Sequence, residues 1–300
     1  MNLDNLNEEE LIEILKEKNI KYYNNKKRII NHINELNKEY ISYPKKDDPN
    51  FFEKIYQKKE FYENQYPEID EEKIDDIQNE LCPSKEKNYK LLAHQIIIRN
   101  YLNFNTPYNS VLLYHGMGSG KTASSITIAE NYKMNISDFN RNKTFVLVSG
   151  DTIEQNFKKE IHDINKGYNQ ATFTDYINYF PNDKPEVKQR KVDSLIDKNY
   201  EIEHYQKLTN IISKKKEEMN DPNFKQWIKQ TYSNRVFIID EVHNLKLIDK
   251  NEDKIKRYDA VKLIIENTTN LKLVLLSGTP MGHSVKEIID LLNLLLINDN

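Results

Sequence analysis

The sequence predicts an α/β domain built on a parallel β-sheet flanked by helices, preceded by a small helical hairpin. Two observations support this prediction. From about residue 89 onward, short and nearly continuous apolar runs alternate with segments of helical periodicity, as strands do when a parallel sheet buries both of its faces. Within residues 1–38, two amphipathic segments follow helical spacing instead. The length of 300 residues suits about two domains.

Composition restricts the possible functions of the chain. Hydrophobic residues make up 38% of it and charged residues 30%, and the net charge is −3. The chain is therefore not a bulk polycation, so any nucleic-acid contact must come from local basic patches. The single cysteine, Cys82, excludes an internal disulfide and favours a reducing, intracellular compartment. Because no apolar run reaches the roughly 18–20 residues of a membrane span, no membrane association is expected.

Residues 1–38 predict two short helices separated by the sequence NIKYYNN. Asn7 is suited to cap the first helix, and apolar residues recur at helical spacing in both. The segment resembles a SAP motif, a helix–loop–helix module that binds DNA, although asparagine stands at two positions where that family favours glycine. This resemblance implies phosphate contacts from Lys26, Lys27 and Arg28. The alternative is a helical hairpin with a solvated charged face or a role in protein docking.

A partly helical connector is predicted for residues 39–88, with a helix from Phe51 to Asn64 followed by an acidic, solvated stretch. Residues 89–300 form the predicted α/β domain. Within it, the charged segment 181–233 interrupts the alternation and is interpreted as a helical insertion at one edge of the sheet. Strands are expected at Val111–Tyr114, Thr144–Val148, Ala171–Thr174, Arg235–Ile239 and Leu271–Leu276, and helices beginning near Lys121, Ile153, Asp175, Tyr258 and Val285.

A glycine cluster marks a candidate phosphate-binding loop. Only seven of the 300 residues are glycine, against an average usage of about 7%, and three of them lie within residues 116–120. Between a strand and a helix, small residues let successive backbone N–H groups wrap a phosphate, and the helix amino terminus adds its dipole. A histidine replaces the first glycine of the common GxxxxGK[ST] pattern. The candidate nucleotide-binding residues are His115, Gly116, Met117, Gly118, Ser119, Gly120, Lys121 and Thr122.

Two pairs of side chains have the chemistry of phosphoryl transfer. The Lys121 ammonium would reach the β- and γ-phosphates, and the Thr122 hydroxyl would ligate Mg²⁺. Asp240 and Glu241 follow an apolar strand directly. Asp240 would hold Mg²⁺, mostly through water, and Glu241 would orient and activate the attacking water. We expect this acid pair to lie beside the phosphate loop if the two strands are neighbours in one sheet.

A third element, SGTPM, follows another apolar strand. Its hydroxyl residues Ser277 and Thr279 could exchange hydrogen bonds between Glu241 or His243 and the nucleotide, and so sense the γ-phosphate. His243 completes an Asp-Glu-x-His pattern that is typical of helicases. The alternative for His243 is an ordinary loop residue.

Together the motifs HGMGSGKT, DEVH and SGTPM resemble those of the first motor lobe of superfamily 2 helicases and Snf2-type translocases. This resemblance implies a RecA-like P-loop domain that binds ATP and Mg²⁺. It also implies that Gln95 reads adenine, because a side-chain amide offers both a donor and an acceptor; the alternative is an exposed helix residue. Thr152, Thr172 and Thr174 would contact the nucleic-acid backbone.

The similarity extends from about residue 43 to the last residue, where DPNFFEKIYQKKEF and NLLLIND resemble the ATPases of large nucleocytoplasmic DNA viruses. These are relatives of the poxvirus early transcription factor ATPase subunit and nucleoside triphosphatase I. The resemblance implies viral transcription, a viral RNA polymerase or transcription factor as partner, and a virion or viral factory in the host cytoplasm as location. Such ATPases continue into a second RecA-like lobe with an arginine finger. The 300 residues are therefore expected to be an N-terminal part, weakly active alone, with an exposed apolar patch around Leu291–Ile297.

The predicted function is an ATP-dependent nucleic-acid motor, a helicase or translocase with DNA-dependent ATP hydrolysis. One alternative is a non-catalytic assembly subunit that binds ATP and DNA. The other is an RNA helicase, which fits the motor motifs almost as well. The SAP-like hairpin favours DNA over RNA.

Overall fold

The structure, a computed structural model, describes residues 43–65, 91–116, 118–135, 142–162, 183–246, 256–279 and 285–299. The chain divides into two compact units. The first comprises the residues up to Glu63 together with Asn105–Pro107, and the second comprises the rest. The SAP-like hairpin, with Lys26, Lys27 and Arg28, lies outside the described residues and stays a prediction.

The described part of the first unit contains two short helices, preceded by a turn-rich segment. Helices α1 (Phe51–Tyr56) and α2 (Lys59–Tyr62) stand where one helix from Phe51 to Asn64 is predicted. The helix is interrupted because Lys58 adopts an extended backbone conformation with ψ of 134°. Helical structure is thus present between Phe51 and Tyr62, in two pieces rather than one. The rest of the predicted connector after residue 65 lies outside the described residues.

The second unit contains a parallel sheet of five strands in the order β1-β5-β4-β2-β3. All residues of β2, β4 and β5 are buried, whereas β1 and β3 at the two edges are partly exposed. Full burial of the central strands requires helices on both faces of the sheet. The predicted α/β architecture is therefore confirmed. The strands are β1 (Ser110–Tyr114), β2 (Thr144–Val148), β3 (Tyr200–His204), β4 (Val236–Ile239) and β5 (Lys272–Ser277).

The helices of this unit cover the sheet and bury its apolar residues. One face packs with α7 to α10 in a large core that includes Phe145, Phe237 and Leu273. Helix α4 contacts β4 and β5 as well as α3 and α5. The helices are α3 (Ala93–Tyr101), α4 (Lys121–Asn135), α5 (Asp151–Ile161), α6 (Pro185–Asn199), α7 (Tyr205–Glu218), α8 (Asp221–Tyr232), the 3₁₀ helix η1 (Val242–Lys246), α9 (Arg257–Asn267) and α10 (Val285–Asp299).

Four of the five predicted strands are confirmed as β1, β2, β4 and β5, within one or two residues at each end. The fifth, Ala171–Thr174, lies outside the described residues, as does the helix predicted near Asp175. The interpretation of residues 181–233 as wholly helical is wrong at Tyr200–His204, because these residues pair with β2 as strand β3. The sequence YEIEH alternates polar and apolar residues, which suits an exposed edge strand.

Helix α10 presents an apolar stripe to solvent. Ile289, Leu292 and Leu296 are 48%, 43% and 59% exposed, whereas Leu291 and Leu294 are buried in the core. The expected exposed patch at Leu291–Ile297 is thus present on one side of the helix. Among the described helices, none is both long and apolar enough to cross a membrane.

Candidate active site

The candidate site lies at the edge of the sheet where all five parallel strands end. The phosphate loop follows β1, the acid pair follows β4, and the SGT segment follows β5. Strand β5 lies between β1 and β4, with Tyr114 paired to Ser277 and Ile239 paired to Leu275. The strands of the loop and of the acid pair are therefore second neighbours, and Ser277 ends the strand between them. This edge is where open parallel sheets bind their ligands.

The phosphate loop is held by its own hydrogen bonds. The Lys121 ammonium donates to the carbonyl oxygens of His115 and Gly116 at 2.9 and 3.1 Å, and the Ser119 hydroxyl donates to Gly116 at 2.8 Å. Gly118 and Gly120 have φ values of 78° and 77°, a conformation that side chains with a Cβ rarely adopt. Space is open around the Cα of Gly118. The loop thus combines a cation, a helix amino terminus and room for an anion.

Two adjacent residues of helix α3 contact backbone carbonyl groups of the phosphate loop. The His94 ring nitrogen Nε2 lies 2.9 Å from the Ser119 carbonyl oxygen. The Gln95 amide donates to the Gly120 carbonyl at 3.4 Å and accepts from the Leu92 backbone N–H at 2.9 Å. Gln95 is only 1% exposed, so the alternative of an exposed helix residue is wrong. Nothing in the sequence points to His94 beyond its place beside Gln95.

Asp240 is buried, with 8% of its surface exposed. Burial, and then the charge of Glu241, raise the pKa of Asp240 from 3.8 to about 6, against a hydrogen bond from the Glu241 backbone N–H and the charge of Lys121. A methyl group built on Gly278 would lie 3.6 Å from Lys121 Nζ. The Lys121 ammonium therefore lies beside Gly278 at the end of β5, and its charge acts on Asp240 at the end of β4. The strands of the loop and of the acid pair are not neighbours, as the prediction required, but both end at this side of the sheet with β5 between them.

A chain of polar contacts joins the acid pair to the end of β5. His243 Nδ1 lies 3.3 Å from Glu241 Oε2 and 3.1 Å from Ser277 Oγ. The Thr279 backbone N–H donates to Ser277 Oγ at 3.1 Å, and Ser277 is fully buried. His243 thus lies between Glu241 and Ser277, and Ser277 in turn contacts the backbone of Thr279. The contact with Glu241 is a hydrogen bond when His243 Nδ1 carries a proton, because a carboxylate can only accept. This linkage is what a γ-phosphate sensor at the strand ends would use.

His115 stands where the common loop pattern has glycine. Its ring packs edge-on against His94 with centroids 5.5 Å apart. Burial, followed by the charges of His94 and Lys121, lowers the pKa of His115. A neutral ring beside the Lys121 ammonium avoids a second positive charge at this place.

The Tyr205 side chain, which directly follows β3, makes a contact with the backbone of the acid pair that the sequence does not predict. The Tyr205 hydroxyl, at the start of α7, donates to the carbonyl oxygens of Asp240 at 2.6 Å and Glu241 at 3.4 Å. Residues 181–233 are predicted to be helical, so no strand is predicted directly before Tyr205. Strand β3 is what brings Tyr205 to the side of the sheet where β4 ends.

Asp151, Glu154 and His204 form a second polar cluster at the same sheet edge, with ligand atoms all within 4.8 Å of one another. His204 Nε2 lies 3.1 Å from Glu154 Oε2, and the Lys158 ammonium lies 2.8 Å from Glu154 Oε1. Because Lys158 already supplies a cation to Glu154, the cluster is best described as an ion-pair network that ties β3 to α5.

The remaining predicted site residues are distributed as follows. Thr122 is half-buried in the first turn of α4, and Thr152 is exposed in the first turn of α5, at the same sheet edge. Their roles toward metal and nucleic acid stay predictions. Met117, Thr172 and Thr174 lie outside the described residues.

The sheet, the phosphate loop and the Asp-Glu-x-His turn together define the class of this chain, a helicase-type P-loop ATPase domain. Residues 87–282 match the family described as the type III restriction enzyme, res subunit. This match covers more than half of the chain, and the chain belongs to that family.

Its relatives include proteins of large DNA viruses. A protein named as a helicase, 087L of Invertebrate iridescent virus 3, is 34% identical over 69% of this chain and 20% of its own length. L377 of Acanthamoeba polyphaga mimivirus, named as an ATP-dependent RNA helicase, is 28% identical over 85% of this chain and 23% of its own. The early transcription factor large subunit homolog of African swine fever virus is 27% identical over 37% of this chain and 12% of its own. The chain thus spans about a fifth of the length of the first two.

Proposed function

We propose that this chain is the first ATP-binding lobe of an ATP-dependent nucleic-acid motor, a helicase or translocase. The observation that carries the proposal is the convergence at one sheet edge of a glycine-containing loop, a buried carboxylate and a hydroxyl-bearing strand end. The Lys121 ammonium lies beside Gly278 at the end of β5, and its charge opposes the rise in the pKa of Asp240. Membership of the helicase-related family supports the same conclusion.

In this proposal each residue of the site has a separate role in ATP hydrolysis. The loop amides and Lys121 hold the phosphates, and Thr122 with Asp240 would hold Mg²⁺. The donor set fits that ion, because hard oxygen ligands with few carboxylates are what Mg²⁺ prefers. When bound, Mg²⁺ neutralises charge that develops on the transferred phosphoryl group. Glu241 orients and activates the attacking water.

The buried carboxylate gives an independent reason to expect a cation. An ionised Asp240 is disfavoured by burial and by the neighbouring Glu241. A divalent cation beside it compensates that cost and shifts the equilibrium toward the ionised form. The site is thus arranged so that metal, phosphate and acid pair stabilise one another.

Adenine recognition by Gln95 is part of the same proposal. The two hydrogen bonds of its amide use one N–H and one acceptor position. A side-chain amide has a second N–H and a second lone pair, which suffice for one donor and one acceptor contact to a base. Because Gln95 bonds to the phosphate loop, base recognition and loop position would be coupled.

Nucleic acid is the proposed partner, with DNA favoured. Exposed Thr152 at the site edge, the predicted SAP-like hairpin and the relative named as an early transcription factor subunit homolog support a DNA-directed role in viral transcription. In that role a second RecA-like lobe and a viral RNA polymerase or transcription factor would be partners. The name of L377 supports the second candidate, an RNA helicase.

Glu241→Gln in the full-length protein tests catalysis against a purely structural role. We expect hydrolysis to fall by about 10²–10⁴-fold while the affinity for ATP is retained, because Gln keeps the shape and loses the base. Glu217→Gln, on the exposed side of α7, is the matched control and should hydrolyse ATP normally. A wild-type protein that binds ATP without hydrolysing it would support the assembly-subunit alternative and contradict the proposal.

A further inference from the structure

The Tyr205 side chain connects the end of strand β3 to the end of strand β4. Tyr205 is the residue that follows β3 directly and begins α7, and it is only 2% exposed. Strand β3 pairs with β2, which in turn pairs with β4. The side chain of Tyr205 therefore reaches past β2 to place its hydroxyl 2.6 Å from the carbonyl oxygen of Asp240.

The backbone that Tyr205 contacts is under conformational strain. The sheet ladder of β4 ends at Asp240, whose N–H donates to the Leu147 carbonyl at 2.9 Å. Glu241 then adopts a φ of 51°, in the left-handed region that costs a residue with a Cβ about 1–2 kcal/mol. The other two described residues with positive φ that are not glycine are both asparagines, Asn234 and Asn270, which tolerate this region. A strained glutamate persists only where surrounding contacts determine its conformation.

The Tyr205 hydroxyl supplies such a contact. It donates to the carbonyl oxygen of Asp240 at 2.6 Å and lies 3.4 Å from that of Glu241, so it bonds to the backbone on both sides of the strained residue's N–H. By fixing the peptide that joins Asp240 to Glu241, it restricts the directions in which both carboxylates can point.

We propose that Tyr205 is a positioning residue for ATP hydrolysis: its hydroxyl holds the Asp240–Glu241 peptide in the conformation that directs both carboxylates at the phosphate loop. This inference rests on the proposed ATPase function. It assigns the segment between α6 and α8, which carries no recognisable motif, a role in the geometry of the site. Since α7 also packs on α9, movements of this helical layer would reach the acid pair through Tyr205.

Tyr205→Phe in the full-length protein removes the hydroxyl and leaves the ring in place. The matched control is Tyr258→Phe, because the Tyr258 hydroxyl also donates to a backbone carbonyl, that of Asp290, at 3.0 Å. We expect Tyr205→Phe to lower kcat by roughly 10–100-fold, the cost of misplacing catalytic groups, with the KM for ATP changed less than about twofold. Tyr258→Phe should leave kcat within about twofold of wild type. A kcat for Tyr205→Phe no lower than that of Tyr258→Phe overturns the inference.

Two further measurements separate the inference from folding and from the proposed function. Para-aminophenylalanine at position 205 keeps a donor and should restore kcat in part; a kcat that follows Tm rather than the presence of the donor would overturn the inference. Amide hydrogen exchange of Glu241–Asn244 should accelerate about tenfold in Tyr205→Phe and stay unchanged in Tyr258→Phe. If the wild-type protein hydrolyses no ATP, the proposed function fails, and unchanged exchange at these amides independently overturns the positioning role.

Discussion

Replacing Asp240 by asparagine measures how much the buried, ionised carboxylate of Asp240 lowers the free energy of unfolding, apart from its role in binding ligands. The Asp240 carboxyl has a pKa of about 6 in the folded chain and 3.8 without its surroundings. The folded state therefore binds a proton more tightly than the unfolded state between these values, and stability is lost as pH rises through this window. A shift of roughly two units costs about 3 kcal/mol once the group is fully ionised. Asparagine has nearly the same shape and no charge, so its burial does not carry this loss of stability.

At about pH 8, we expect Asp240→Asn to be more stable than wild type by about 1–3 kcal/mol, which raises Tm by about 2–10 °C for a domain of this size. At about pH 4, where the wild-type carboxyl is protonated in the folded state, the difference should vanish. Thermal unfolding across this pH range measures both values in the absence of Mg²⁺ and ATP. Asp197→Asn, whose side chain is 68% exposed, is the control and should change stability little at either pH.

The same variant should lose the stabilisation that Mg²⁺ and ATP confer on wild type, because it lacks the carboxylate that would hold the ion. A stability gain joined to a loss of ligand response is the signature of a residue kept for function. The reasoning is refuted if Asp240→Asn is less stable than wild type at high pH, or if the difference between the two is independent of pH.

Three other substitutions concern the phosphate loop (Gly120→Ala with its control Gly118→Ala) and the contact between Ser277 and His243 (Ser277→Ala). Gly120→Ala should destabilise the domain by about 2–4 kcal/mol in urea unfolding, because its Cβ would collide with Gln95 Nε2 and its φ is positive. Gly118→Ala has the same positive φ and open surroundings, so it should cost only about 1–2 kcal/mol; equal costs would argue against the contact with Gln95. Ser277→Ala breaks the link to His243, and we expect the factor by which nucleic acid stimulates ATP hydrolysis to fall about fivefold or more. An unchanged stimulation factor would show that this link does not couple the two ligands.

Much of the fold could be predicted because, in most of the sheet, the local sequence pattern favours the same structure that the tertiary contacts require. The strands β1, β2, β4 and β5 have apolar centres, and the glycines of the phosphate loop stand out against a chain with few others. Strand β3 was missed because an edge strand with one exposed face has short polar alternation, here YEIEH between lysine-rich segments. Its pairing with β2 is a tertiary contact that no local pattern reveals.

In the candidate site, too, some positions could be predicted from the sequence and others depend on tertiary packing. Lys121, Asp240 and Ser277 could be placed because each lies at the end of an apolar strand or in the segment that follows one, and parallel strands bring their carboxyl ends to one side of the sheet. The intervening position of β5 could not be known from the sequence, since strand order depends on how the crossover helices pack. The supporting contacts of His94 and Tyr205 likewise depend on the packing of α3 and α7 against the strand ends.

The most direct test of the central claim is the steady-state rate of Mg²⁺-dependent ATP hydrolysis by the full-length protein, measured with duplex DNA, single-stranded DNA, RNA and no nucleic acid. A common site for Lys121, Asp240 and Glu241 predicts hydrolysis that nucleic acid stimulates and that Lys121→Ala abolishes, with duplex DNA as the strongest activator. Hydrolysis that survives Lys121→Ala, or a wild-type protein whose hydrolysis no nucleic acid stimulates, would contradict it.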